Sequence, residues 1–126
     1  MTVRLVHGNP ETAAVWGRLV EALSGRGVNG IEPLSPPGFG APPPTGPATP
    51  GTYVAWLEET LEETVAAHGE PVHLVGHDWG AGHVLGLVAR RPDLVASWAV
   101  DCAGLVHPDH VWHDMARVWQ TRAMSC

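Results

Sequence analysis

The chain reads as one α/β domain, a parallel sheet of about four strands with helices on both faces. Three observations predict it. Short apolar runs alternate with longer segments of helical periodicity, an order that favours parallel strands joined by right-handed crossovers. The stretch Val72-His73-Leu74-Val75-Gly76-His77-Asp78-Trp79-Gly80-Ala81-Gly82 passes from apolar strand through a tight, glycine-flanked turn into a helix. A length of 126 residues with 44% hydrophobic content is enough for one core, burying roughly two thirds of the unfolded surface.

Taken in order, Val3-Arg4-Leu5-Val6 predicts the first strand and His7-Gly8-Asn9-Pro10 the turn that leaves it. A helix follows from about Thr12 to Ser24, with Val15, Trp16, Leu19, Val20 and Leu23 on one face, stopped by Gly25 and Gly27. Gly30 to Leu34 is a weaker strand. From Pro36 to Gly51 seven of sixteen residues are proline and four are glycine, which predicts an extended, polyproline-like loop. Thr49 then suits an N-cap and Pro50 the first helical position of a helix carried by Val54, Leu57, Leu61 and Val65 and ended by Gly69. Its acidic run, Glu58, Glu59, Glu62 and Glu63, reads as a solvated outer face.

The strand from Val72 leads into a third helix packed through Ala81, Val84, Leu85 and Val88 as far as Pro92. Val95 to Val100 is the fourth strand. Val111, Trp112, Met115, Val118 and Trp119 suggest a last amphipathic helix from Asp109 to about Thr121. Ligands of such sheets gather beyond the carboxyl ends of the strands. The His7 turn, the Pro36 loop and Asp78 are therefore expected to converge at one rim.

Charge and composition exclude several functions. A formal charge of −6 leaves no basic patch for nucleic acid or an anionic membrane surface. No apolar run reaches the length of a membrane span, and the N-terminus enters a strand pattern without a signal-peptide core. Cys102 and Cys126 suit reduced thiols better than a disulfide framework, so a cytoplasmic location is expected.

The chemistry centres on Asp78. Glycines at 76 and 80 on either side of one reactive residue describe a nucleophile elbow, in which the central residue is forced into strained geometry above the sheet. A carboxylate in that place can attack an sp3 carbon bearing a leaving group and form an alkyl ester. Hydrolysis of the ester passes through an oxyanion, for which the backbone N–H groups of Trp79 and Asn9 are the candidate donors. A plain helix N-cap would explain Asp78 alone, and a turn residue would explain Asn9 alone. The flanking glycines and the His7 turn favour the site reading. His7 and His77 are expected to orient their turns rather than act as bases. His107, His110 and His113 invite a metal, but no Cys or carboxylate set at recognised spacing joins them. Neither metal nor cofactor is expected.

Together, His7-Gly8-Asn9-Pro10 and Gly76-His77-Asp78-Trp79-Gly80 resemble the α/β-hydrolase fold family (AB hydrolase-1 type), in its haloalkane dehalogenase and epoxide hydrolase branch. Pro36-Pro37-Gly38-Phe39-Gly40 matches a loop of that branch. The resemblance implies a hydrolase acting on a small apolar organic substrate. The side chains of Asn9 and Trp79 would clamp the departing halide. Epoxide opening calls for cap tyrosines, and Tyr53, the single tyrosine, precedes the elbow; carbon–halogen cleavage is therefore the leading expectation. Asp101 is a candidate for the carboxylate that orients the catalytic His, although alignment by eye puts that place at Cys102, on the other face of a regular strand.

The resemblance covers only the front half of a family member. Residues 1–106 would form the N-terminal half of the core, and 107–126 the start of a cap-like helical segment with an irregular tail. The catalytic His would follow a later strand, so a truncated chain impaired in turnover is expected. The strand near Trp98 and the residues Trp112 and Trp119 would then invite self-association. An epoxide hydrolase, an esterase-like relative and a non-catalytic fold fragment remain the alternatives.

Overall fold

A computed structural model describes residues 1–104 and 107–120. Strand β1 (Val3–Val6) leads through a 3-10 turn (Ala13–Trp16) into α1 (Gly17–Gly25), followed by β2 (Ile31–Leu34) and α2 (Pro50–His68). Strand β3 (Val72–His77), α3 (Trp79–Arg90), β4 (Val95–Asp101) and α4 (Asp114–Gln120) complete it. All strand pairs are parallel, in the order β2-β1-β3-β4. Pro33, which has no N–H to give, sits in the outer strand β2.

Period-two alternation divides the core between the two faces of the sheet. Val6 and Leu74 pack with Leu57 and Leu61 of α2 and with Val84 and Leu87 of α3. Val3 and Leu5 join Trp16 on the opposite face, where Val20 and Val75 pack against them. Three layers result. Helix α2 begins and ends as its sequence dictates. Thr49 is extended and its hydroxyl accepts from Thr52 N–H at 3.2 Å, and Gly69 closes the helix at φ 73°. Arg91 ties α2 to the end of α3 through Glu58 and Glu62.

Three expectations need correction. The first helix begins at Gly17 rather than Thr12, because the Thr12 hydroxyl accepts from Ala14 N–H and tightens residues 13–16 into a 3-10 turn. Its expected apolar face is largely wet: Trp16 is buried, while Val15 and Leu19 stay exposed. The last helix starts at Asp114, not Asp109. Asp109 N–H is taken by the His107 imidazole at 3.1 Å, and such local bonds compete with helix formation. Helix α3 buries His83 and Leu87 with Ala81 and Val84, leaving Leu85 and Val88 half-buried.

As far as Thr49 the proline-rich segment carries neither helix nor strand, but it opens on a turn rather than an extended run. Phe39 N–H donates to Pro36 carbonyl at 2.9 Å, and Gly38 and Gly40 both lie at φ 87°. Tyr53 Oη donates to the Pro37 carbonyl at 2.9 Å. Strand β4 is an outer strand of the described sheet and Trp98 on it is 48% exposed. Trp112 is half-buried; the side chain of Trp119, like residues 121–126 and Cys126 among them, lies outside the described residues. No described helix is long and apolar enough to cross a membrane.

Candidate functional site

The chain leaves β3 at His77, turns on Asp78 and enters α3 at Trp79. Asp78 has φ 56° and ψ −122°, backbone that a residue with a side chain adopts only when its surroundings force it. The force is visible on both sides. A Cβ on Gly76 would stand 2.7 Å from the Gly80 carbonyl oxygen and 2.9 Å from Ala81 Cα. One on Gly80 would stand 2.6 Å from the Val6 carbonyl carbon and 2.7 Å from the His7 oxygen. Both glycines are thus required for space, which lets α3 start hard against β1 and β3.

The N-cap explanation of Asp78 fails. Its side chain makes no capping hydrogen bond; only its backbone carbonyl accepts, from Ala81 N–H at 3.0 Å. Instead the carboxylate side chain lies over the turn leaving β1. A Cβ on Gly8 would stand 2.6 Å from Asp78 Cβ and 2.8 Å from its Cγ. Asn9 and Trp79 flank this contact, each half-buried. Gly40 of the proline-rich loop packs near Ser35 and Thr12, beyond the ends of β2 and β1.

His7 is fully buried, and its Nδ1 lies 2.8 Å from the Gly8 carbonyl. A carbonyl only accepts, so the proton sits on Nδ1 and the imidazole braces the turn, as its expected orienting role requires. Beneath it, His83 stacks on Tyr53 with ring centroids 4.8 Å apart and planes 8° from parallel. Burial, with His7 adding to it, pushes the His83 imidazole down to about 4.

His77 does more than brace a turn. It faces Asp101 across the β3–β4 register, and its Nδ1 donates to Asp101 Oδ1 at 2.7 Å. Its Nε2 lies 3.5 Å from Glu11 Oε1, while the other Glu11 oxygen accepts from Gly8 N–H at 3.0 Å. Partial burial lowers the His77 pKa, but the Asp101 bond and charge, with Glu11 and Asp78, outweigh it and raise the group above its ordinary value. Asp101 also reaches the turn through its backbone, whose carbonyl accepts from Asp78 N–H at 3.3 Å. The opposite-face argument about Asp101 and Cys102 does not survive. Cys102 has φ 52°, the strand ends there, and polar atoms of both residues lie within 4.8 Å of one another and of the His77 ring.

Of the other histidines, His110 is edge-on to Trp112, with centroids 4.8 Å apart, and neither it nor His113 is in a helix. The sequence reading missed Glu11 and His83. An acidic residue three past the glycine of a turn was the available signal for Glu11. For His83 it was the helical spacing that puts it one turn past Trp79 and Gly80, on the sheet side of α3.

Comparison with known proteins decides the family. The alpha/beta hydrolase fold family model matches residues 2–122. The chain belongs to this family. A haloalkane dehalogenase of Psychrobacter cryohalolentis is 31% identical over 121 residues, covering 94% of the chain and 39% of that protein. An epoxide hydrolase of Caballeronia sordidicola is 31% identical over 91 residues, covering 72% of the chain and 27% of that protein. Among solved structures, a loop variant of a Bradyrhizobium elkanii haloalkane dehalogenase superposes with TM-score 0.68 at 24% identity, over 94% of the chain and 40% of that structure. A monoacylglycerol lipase of Paleococcus ferrophilus gives 0.63 at 24% identity, over 92% and 44%. The chain therefore spans about two fifths or less of the curated relatives' length, and the solved structures establish the fold that this α/β hydrolase shares with them.

Proposed function

We propose that Asp78 is the nucleophile of an α/β hydrolase that displaces a leaving group from an sp3 carbon, with a carbon–halogen bond the favoured target. One observation carries this: Asp78 is held at φ 56° without a side-chain capping bond, its carboxylate set over the turn of Gly8. That is the strained, partly accessible placement a nucleophile elbow needs. An Asp78 oxygen attacks carbon, the carbon–halogen bond breaks, and halide leaves with the bonding pair, giving a neutral alkyl ester. The Asn9 amide and Trp79 indole N–H are assigned to the halide, and the backbone N–H groups of Asn9 and Trp79 to the oxyanion of ester hydrolysis. Asp101, the carboxylate paired with His77, is the candidate acid. The similarity to a haloalkane dehalogenase over 94% of the chain supports the reading.

Epoxide opening is the second reading, favoured by the similarity to an epoxide hydrolase. Tyr53, the chain's single tyrosine, is not available for that chemistry, its hydroxyl being spent on the Pro37 carbonyl. Residues 107–126 are assigned to the start of a cap. The experiment is incubation with a reactive primary alkyl iodide, then intact-mass measurement and peptide mapping. One alkyl group on Asp78, absent in Asp78→Asn, is the expected result. Alkylation confined to Cys102 or Cys126, or none, makes the chain a non-catalytic member of the family.

A further inference from the structure

We propose that His77, Asp101 and Cys102 form a binding site for a borderline-soft divalent cation of the zinc type. An imidazole nitrogen, a carboxylate oxygen and a thiol sulfur come within 4.8 Å of one another at the ends of two adjacent strands. These are the three donor types that zinc takes, at about 2.0–2.3 Å, and three protein ligands leave a fourth tetrahedral position for water. Ligation requires Nδ1 and Oδ1, 2.7 Å apart in their hydrogen bond, to part and admit the ion between them.

The arrangement is a departure from what a strand would do by default. Consecutive strand residues point to opposite faces, so Asp101 and Cys102 should not share one imidazole. They do because Cys102 leaves β geometry for φ 52°, a conformation that residues with side chains seldom adopt. The strain is placed where it gathers donors. A second observation concerns the other side of the ring. With a cation on Nδ1, the proton of His77 sits on Nε2, and Glu11 Oε1 lies 3.5 Å away to accept it. Carboxylate, imidazole and metal in that sequence form the usual outer support of a metal-bound histidine. Glu11 is itself anchored by Gly8 N–H. Sequence spacing hides the set, since His77 stands 24 residues from Asp101 and only the sheet register joins them.

Binding releases the Cys102 thiol proton and moves the proton of a neutral His77 from Nδ1 to Nε2, and it needs no oxidant or reductant. Neither the donors nor the test involves the Asp78 carboxylate, so the nucleophile reading stands or falls separately, but a bound cation would take Asp101 as a ligand in place of its role as candidate acid. Cobalt(II) is the probe, with the whole chain reduced and freed of metal, followed by zinc(II) competition. The expected result is one cobalt per chain with a thiolate-to-cobalt charge-transfer band, displaced by zinc. Cys102→Ser abolishes the band, Asp101→Asn weakens binding at least tenfold, and Glu11→Gln weakens it roughly 10- to 100-fold. Cys126→Ser leaves the band intact. Absence of the band in the parent chain, its survival in Cys102→Ser, or its loss in Cys126→Ser overturns the proposal. All four positions are solvent-accessible or, for Cys126, terminal, and a far-ultraviolet dichroism spectrum matching the parent checks that each variant is folded.

Discussion

Gly8 and Asp78, seventy residues apart in the chain, are in contact so close that a single methyl group on Gly8 would overlap the Asp78 side chain, standing 2.6 Å from its Cβ. The turn leaving β1 and the turn leaving β3 are therefore one structural unit. Gly8→Ala must push them apart. The expected outcome is a loss of about 1–3 kcal/mol of stability, the usual range for overpacking. Alkylation of Asp78 should slow at least tenfold. Denaturant melts and the alkyl iodide assay measure the two effects.

Asp78 carries backbone strain that glycine would not feel. Asp78→Gly is expected to stabilise the chain by about 1 kcal/mol while removing the alkylation site. A stability–function opposition of that kind belongs to residues held for chemistry. A substantial fall in melting temperature would instead show that the carboxylate has a structural role.

His83 makes stability depend on pH. In the unfolded chain it titrates at its ordinary value near 6.5, whereas burial in the fold pushes it down to about 4. Below 6.5 the unfolded chain takes up a proton that the native one refuses, so stability is full above 6.5 and falls as pH drops toward 4. The loss is on the order of 3 kcal/mol across that window. His83→Phe keeps a ring against Tyr53 and should flatten the stability profile between pH 4 and 6.5, measured by urea denaturation at several pH values.

Outer strand β4 and the residues beyond it expose Trp98, Val111, Met115 and Val118. Unpaired strand edges beside apolar side chains favour association. The chain should elute larger than a monomer in size-exclusion chromatography at micromolar concentration, and Trp98→Lys should shift it toward monomer. A sharp monomer peak for the parent chain, without binding of a hydrophobic dye, would remove this expectation.

What could be read in the sequence followed local rules. Thr49, Pro50 and Gly69 set the limits of α2, and Gly76 and Gly80 marked the tight turn before any strand was paired. Both signals depend on a few neighbouring residues. The His77–Asp101 bond depends on strand register, and Glu11 enters only because the β1 turn folds under the β3 turn. Helix limits were legible where the cap was simple and shifted where side chains competed for backbone N–H groups, as Thr12 and His107 do. The buried Tyr53–His83 stack joins two helices whose periodicities say nothing about each other.

That stack has a mechanical consequence. Tyr53 holds Pro37 by its hydroxyl and His83 by its ring face, so one phenol joins the border loop to the helix that follows Asp78. The proline-rich loop and the turn before α3 are thereby geared together. Whatever displaces the loop must either drag α3 or break the Tyr53 pin.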